Sequence, residues 1–127
     1  MNYKAYDDAG FVYLVMPAVQ KGDQLLFTLD NAAILIGKKH VESSGNTHRI
    51  AKGTAVNIVT ASETSVAASN CPVKIPPTGR EEKVSKHGSE TTCFGVVMVC
   101  NYCIYNAAGV FVKDVTEICG ACIGLPF

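Results

Sequence analysis

Long apolar runs are missing from this 127-residue chain. The longest reach only about half of a membrane span, so no transmembrane helix is expected. Charge is scarce as well, at 17% of residues, against about 25% in an ordinary globular domain. It is also balanced: 11 Lys and Arg oppose 11 Asp and Glu, for a formal net charge of zero. A nucleic-acid binder needs a basic surface to displace counterions from phosphates, so nucleic acid is not an expected partner. The short basic clusters, Lys38-Lys39-His40 and Lys83 to His87, have acidic neighbours and read as solvated loops. No nucleophile elbow, P-loop or His-Glu-x-x-His pattern accompanies the lone histidines His40, His48 and His87. The expectation is a protein that is not an enzyme. No strong amphipathic helix and no internal repeat stand out. The opening Met1-Asn2-Tyr3-Lys4 leads into Asp7-Asp8 without the apolar core of a signal peptide. Synthesis in a reducing cytoplasm is the matching expectation.

What the chain does have is a series of short β-type runs. Hydrophobic residues make up 48% of it, enough for a real core. Phe11-Val12-Tyr13-Leu14-Val15-Met16 reads as a strand ended by Pro17. Lys21-Gly22-Asp23 turns into a strand at 24–29, Asp30-Asn31 turns again, and a strand at 32–36 follows. Residues 39–42 and 47–51 flank Ser43-Ser44-Gly45-Asn46 as a hairpin with a four-residue loop, placing His40 and His48 on opposite sides. Thr54 to Thr60 reads as a strand with Val56 and Ile58 on one face. Ala61 to Asn70 is poor in large side chains and reads as an irregular connection or a thin strand. Pro72, Pro76, Pro77 and Gly79 punctuate residues 72–92, which read as a long loop or arm. The chain thus divides into a β body (1–71), this arm, and a returning strand with a terminal hairpin (93–127), all in one domain. The fold class is all-β, a small sandwich or barrel.

The cysteines carry the sharpest motif. Cys100-Asn101-Tyr102-Cys103 is followed by fifteen residues and then Cys119-Gly120-Ala121-Cys122. That spacing suits four thiolates around one tetrahedral ion, with a hairpin turning at Asn106-Ala107-Ala108-Gly109. The stretch resembles a zinc ribbon, which implies structural Zn2+ held by Cys100, Cys103, Cys119 and Cys122; iron is the other ion that four thiolates hold. Four protein ligands leave no open position, so the ion would be a staple and not a catalyst. The rival arrangement is a set of disulfides, disfavoured in a reducing compartment. Cys71 and Cys93 flank the long loop and read as small buried residues that would pair across its base in an oxidising medium. Redox catalysis is disfavoured, because neither Cys-x-x-Cys opens a helix.

The Lys-Gly-Asp and Lys-Gly-Thr turns, with Ala/Val/Thr/Gly-rich strands over residues 10–70, loosely resemble the decoration (cement) proteins of tailed-phage capsids. The resemblance implies a homotrimer seated on a capsid lattice. With low charge and an apolar tail from Ile123 to Phe127, it leads to one functional expectation. The chain is a non-enzymatic structural or assembly protein, a virion component, homo-oligomeric, with a larger assembly such as a capsid as partner and no membrane. Pro76, Pro77, Arg80, Leu125 and Phe127 are the expected interaction residues. The other reading is a zinc-ribbon module for nucleic acid or a nucleic-acid-processing machine, with Lys83, Lys86, His87 and Lys113 on one face.

Overall fold

The computed structural model describes residues 4–29, 32–59 and 71–122. Among them there is no α-helix, only one 3-10 turn at Lys38–His40, and hence no helix long and apolar enough to cross a membrane. Among the described residues all strand pairing is antiparallel, in three open sheets with no closed barrel. The first sheet runs β1 (Lys4–Asp7), β2 (Phe11–Val15), β7 (Thr47–Ala51), β6 (Val41–Ser44). The second runs β3 (Val19–Lys21), β4 (Gln24–Thr28), β5 (Ala33–Gly37), β8 (Asn57–Val59). In the third, β11 (Val97–Tyr105) is central. Its one edge holds β12 (Phe111–Ala121), and its other holds β10 (Thr91–Phe94) and β9 (Glu82–Ser85) end to end.

Alternation explains the layering. In β2, Val12 and Leu14 are fully buried while Phe11, Tyr13 and Val15 are not; in β5, Ile34 and Ile36 are buried while their neighbours are half-buried. Period-two patterning places one apolar row of each strand inward. The inward rows meet in a single cluster: Val12, Leu14 and Ile50 from the first sheet, Phe27, Ile34 and Ile36 from the second, Val97, Val99 and Ile118 from the third. Each such side chain contributes about 1.5–3 kcal/mol on burial, so this cluster is the main source of stability.

The run predicted as one strand at 54–60 serves two sheets. Gly53 and Thr54 exchange backbone bonds with Ile118, and the Val56 N–H donates to Thr116 O, along the free edge of β12. Asn57–Val59 then pairs with β5. Val56 is buried and Ala55, Asn57 and Val59 are exposed, as the alternation predicted.

Several expectations need correcting. The β6–β7 hairpin has Ser44 opposite Thr47, so its loop is Gly45-Asn46 and not four residues. Gly45, at φ +62°, supplies the left-handed conformation a two-residue loop demands. The arm at 72–92 contains β9 and the start of β10, and its first part is docked by backbone bonds. The turn expected at Asp30-Asn31 and the connection at 61–70 lie outside the described residues.

Candidate functional site

The four expected zinc ligands lie in or beside the two longest strands, and this decides their chemistry. Val97 to Tyr105 is rich in β-favouring residues and, apart from Asn101, carries no strand-disfavouring residue and no glycine or proline, so it stays extended. Three residues along a strand span about 10 Å and face opposite ways. Cys100 and Cys103 therefore point to opposite sides of the third sheet and cannot share an ion. Cys119, near the end of β12, and Cys122, just past it, are committed to two different partners, Cys100 and Cys93. The zinc ribbon and its Zn2+ or iron are overturned. All six cysteines form disulfides: Cys71–Cys103, Cys93–Cys122 and Cys100–Cys119. Among the described residues no group of three or more His, Cys, Asp or Glu is placed to hold a metal.

Register accounts for these pairings. Cys100 faces Glu117, and Val99 faces Ile118 while Met98 faces Gly120. Cys119 is thus the extra residue of a β-bulge, on the same side as Cys100. Cys93 lies opposite Met98 on β10 and reaches Cys122, whose N–H donates to Val96 O. This bond spans the end of β11 and joins its two flanking strands. Cys103 points inward, 2% exposed, to Cys71. Cys71 and Cys93 are not the small buried residues expected: Cys71 is half-buried, Cys93 is exposed, and each is disulfide-bonded. The alternative, a bond between them across the loop base, does not occur either, because their partners lie on opposite sides of the sheet. Three disulfides also reverse the expected compartment: they point to an oxidising environment and not to the reducing cytoplasm.

From Cys71 the chain runs as a strap along the β11–β12 turn. Tyr105 Oη donates to Pro72 O at 2.8 Å, Phe111 N–H to Val73 O, Ile75 N–H to Gly109 O, and Gly79 N–H to Ala107 O. Under it the turn is organised by Asn106, whose Oδ1 accepts from the N–H groups of Ala108 and Val110. Gly109 has φ +82°, and a Cβ there would lie 2.1 Å from Ile75 O. Glycine is thus required twice at one position. Pro76, Pro77 and Arg80, the expected interaction residues, lie in this strap; Pro76 and Pro77 are exposed, and Arg80 pairs with Glu82. Val73 beside them is 77% exposed. Leu125 and Phe127 lie outside the described residues.

Elsewhere several charged side chains are paired. Lys83 bonds Glu117 and covers the Tyr102 ring, and Lys86 bonds Asp114. The outer face of the first sheet carries a row across all four strands, Tyr6, Tyr13, Arg49 and Glu42. The two tyrosines stack at 4.9 Å, Arg49 lies over Phe11 and Arg49 pairs with Glu42. Asp8 Oδ1 accepts from the N–H groups of Gly10 and Phe11, which hold its carboxyl below the usual range. Partial burial, and then the bond it donates to Asp8, raise the Tyr13 hydroxyl. His48 is the buried polar residue of the described core. Its Nε2 meets Met16 O at 2.9 Å and its Nδ1 meets Ser43 Oγ at 2.7 Å. His40 lies in the exposed 3-10 turn, so the two histidines do not form a site.

Where β3, β4 and β5 end together, an open cleft of about 920 Å³ is lined by Gln20, Lys21, Gly22, Asp23, Gln24, Gly37, Lys38 and Lys39. Lys21 faces Gln24, which faces Gly37, so the register sets one row across three strands. Lys38 N–H donates to Asp23 O at 2.8 Å, fixing the 3-10 turn to the β3–β4 turn. In sequence Lys21 is a turn residue and Lys38-Lys39 reads as a solvated loop. Only the pairing of the intervening strands brings them together. No protein-family model, no curated protein and no solved structure matches this chain.

Proposed function

We propose that the protein is a non-enzymatic structural component of an assembly that works in an oxidising medium, such as the shell of a virion. The observation that supports this is the concentration of all three disulfides in one sheet. They join Cys71, β10, β11 and the C-terminal end of β12 into one unit. In the chain-entropy account, loops of 19 to 32 residues each contribute about 3–4 kcal/mol. Such stapling suits a small domain that must persist outside a cell, and virion surfaces are among the places where disulfides are kept. Exposed Val73, Val84, Val110 and Val112 on or beside the same sheet are apolar surface that an assembly would cover.

The test is to follow the chain through a density gradient of extracellular particles from the culture that makes it. The expected result is comigration at a fixed ratio to the main shell protein, with all cysteines oxidised. A chain confined to cell cytosol with free thiols would refute the proposal.

A further inference from the structure

We propose that the cleft at the end of β3, β4 and β5 binds a small multivalent oxyanion, a ligand carrying two or more phosphate or sulfate groups. The argument rests on where unpaired charge collects in a neutral protein. Of the eleven cationic side chains, Arg49, Lys52, Arg80, Lys83 and Lys86 form ion pairs with described carboxylates. The other six are Lys4, Lys21, Lys38, Lys39, Lys74 and Lys113, and three of those six line this one cleft. Asp23 is the single acidic residue among its lining residues, and its backbone, through the bond from Lys38 N–H, does the structural work. Lys38 Nζ has a neutral partner, Gln20 Oε1 at 3.3 Å, while Gln20 Nε2 donates to Gly22 O.

The site is an open cleft with a volume in the range that small ligands use. Strand register fixes the Lys21, Gln24 and Gly37 row along it, and its exposed lysines make it cationic. Ammonium groups on flexible stems act as point charges for phosphate-like oxygens. The half-buried Gln24 also lines the cleft and adds a neutral amide donor. Three cations against one carboxylate leave an excess that a single monovalent anion does not neutralise, which points to a multivalent ligand. The inference does not depend on the structural role proposed above.

The experiment is a calorimetric and NMR titration of the oxidised full chain at low salt. One arm uses pyrophosphate and the other a disulfated disaccharide, so the source of the oxyanion is distinguished. Two charge-matched variants accompany the wild type: K21Q/K38Q/K39Q in the cleft, and K4Q/K74Q/K113Q elsewhere. All six positions are on strands, turns or the strap, and thermal melts confirm that both variants fold. The expected result is saturable binding in at least one arm, with shifts confined to residues 20–24 and 37–39. The cleft variant should lose tenfold or more in affinity and the control less than twofold. Absence of binding in both arms, or equal losses in both variants, would overturn the site.

Discussion

Replacing Gly109 by alanine tests the docking of the strap, because two separate costs converge there. The first is conformational: at φ +82° an alanine pays about 1–2 kcal/mol for the left-handed region. The second is steric. The new Cβ would stand 2.1 Å from Ile75 O, 3.1 Å from Ile75 C and 3.2 Å from Pro77 N. Those are backbone atoms, so relief requires the strap to lift. Lifting breaks the bond from Ile75 N–H to Gly109 O and strains its neighbours, Phe111 N–H to Val73 O and Gly79 N–H to Ala107 O. At about 1 kcal/mol net for each bond, two or three lost bonds bring the total to about 3–5 kcal/mol. The Cys71–Cys103 bond holds the root of the strap, so the loss appears as destabilisation and not as a released arm. Gly45→Ala is the control: its φ is +62° and nothing lies within 4 Å of its Cβ position, so only the conformational cost of about 1–2 kcal/mol applies. Urea unfolding of both variants, oxidised, measures the difference. A Gly109→Ala variant within about 0.5 kcal/mol of Gly45→Ala would refute the reasoning, since that is the size of an ordinary surface change.

Three further outcomes are expected. The denatured, unreduced chain should weigh six hydrogens less than the reduced one and carry no metal in its native mass; Cys100→Ala with Cys119→Ala should then cost about 3 kcal/mol in unfolding free energy, from a loop of 19 residues. His48→Ala should cost about 2–4 kcal/mol by thermal or urea unfolding, because it opens a buried space edge-on to Phe27 and leaves Met16 O and Ser43 Oγ without their partner. Asp8 has a carboxyl pKa depressed by the Gly10 and Phe11 N–H groups. A depressed acid stabilises the fold above its unfolded pKa of about 3.9 and loses that contribution as pH falls through the folded value. Asp8→Asn should therefore lower stability at neutral pH and flatten the loss below about pH 4; an unchanged acid limb in a pH series of melts would contradict it.

Much of the body was readable in order. Phe11 to Val15, Gln24 to Thr28 and Ala33 to Gly37 are strands because apolar and β-branched residues alternate or run together between turn residues, and these signals are local. The Asn106 to Gly109 turn was readable for the same reason, although Asn106 acts through its side-chain oxygen. The docking of the arm at 72–92 is not legible in sequence, because its prolines exclude helix and ladder locally while its docking depends on the distant Gly109 and Tyr105. The cleft lysines were not legible as a group. Lys21 and Lys38 are seventeen positions apart in sequence, and their proximity follows from the Gln24 to Gly37 register.

By itself the sequence determined an all-β chain, the place of most strands and turns, and the inward faces, because period-two alternation and glycine-bearing turns act over a few residues. The tertiary structure alone decided the fate of the six cysteines. The same spacing serves a metal knuckle if each Cys-x-x-Cys turns, and a set of disulfides if it stays extended. The unbroken run from Val97 to Tyr105 kept it extended, put Cys100 and Cys103 on opposite faces, and left each sulfur to the partner that strand register had brought within reach.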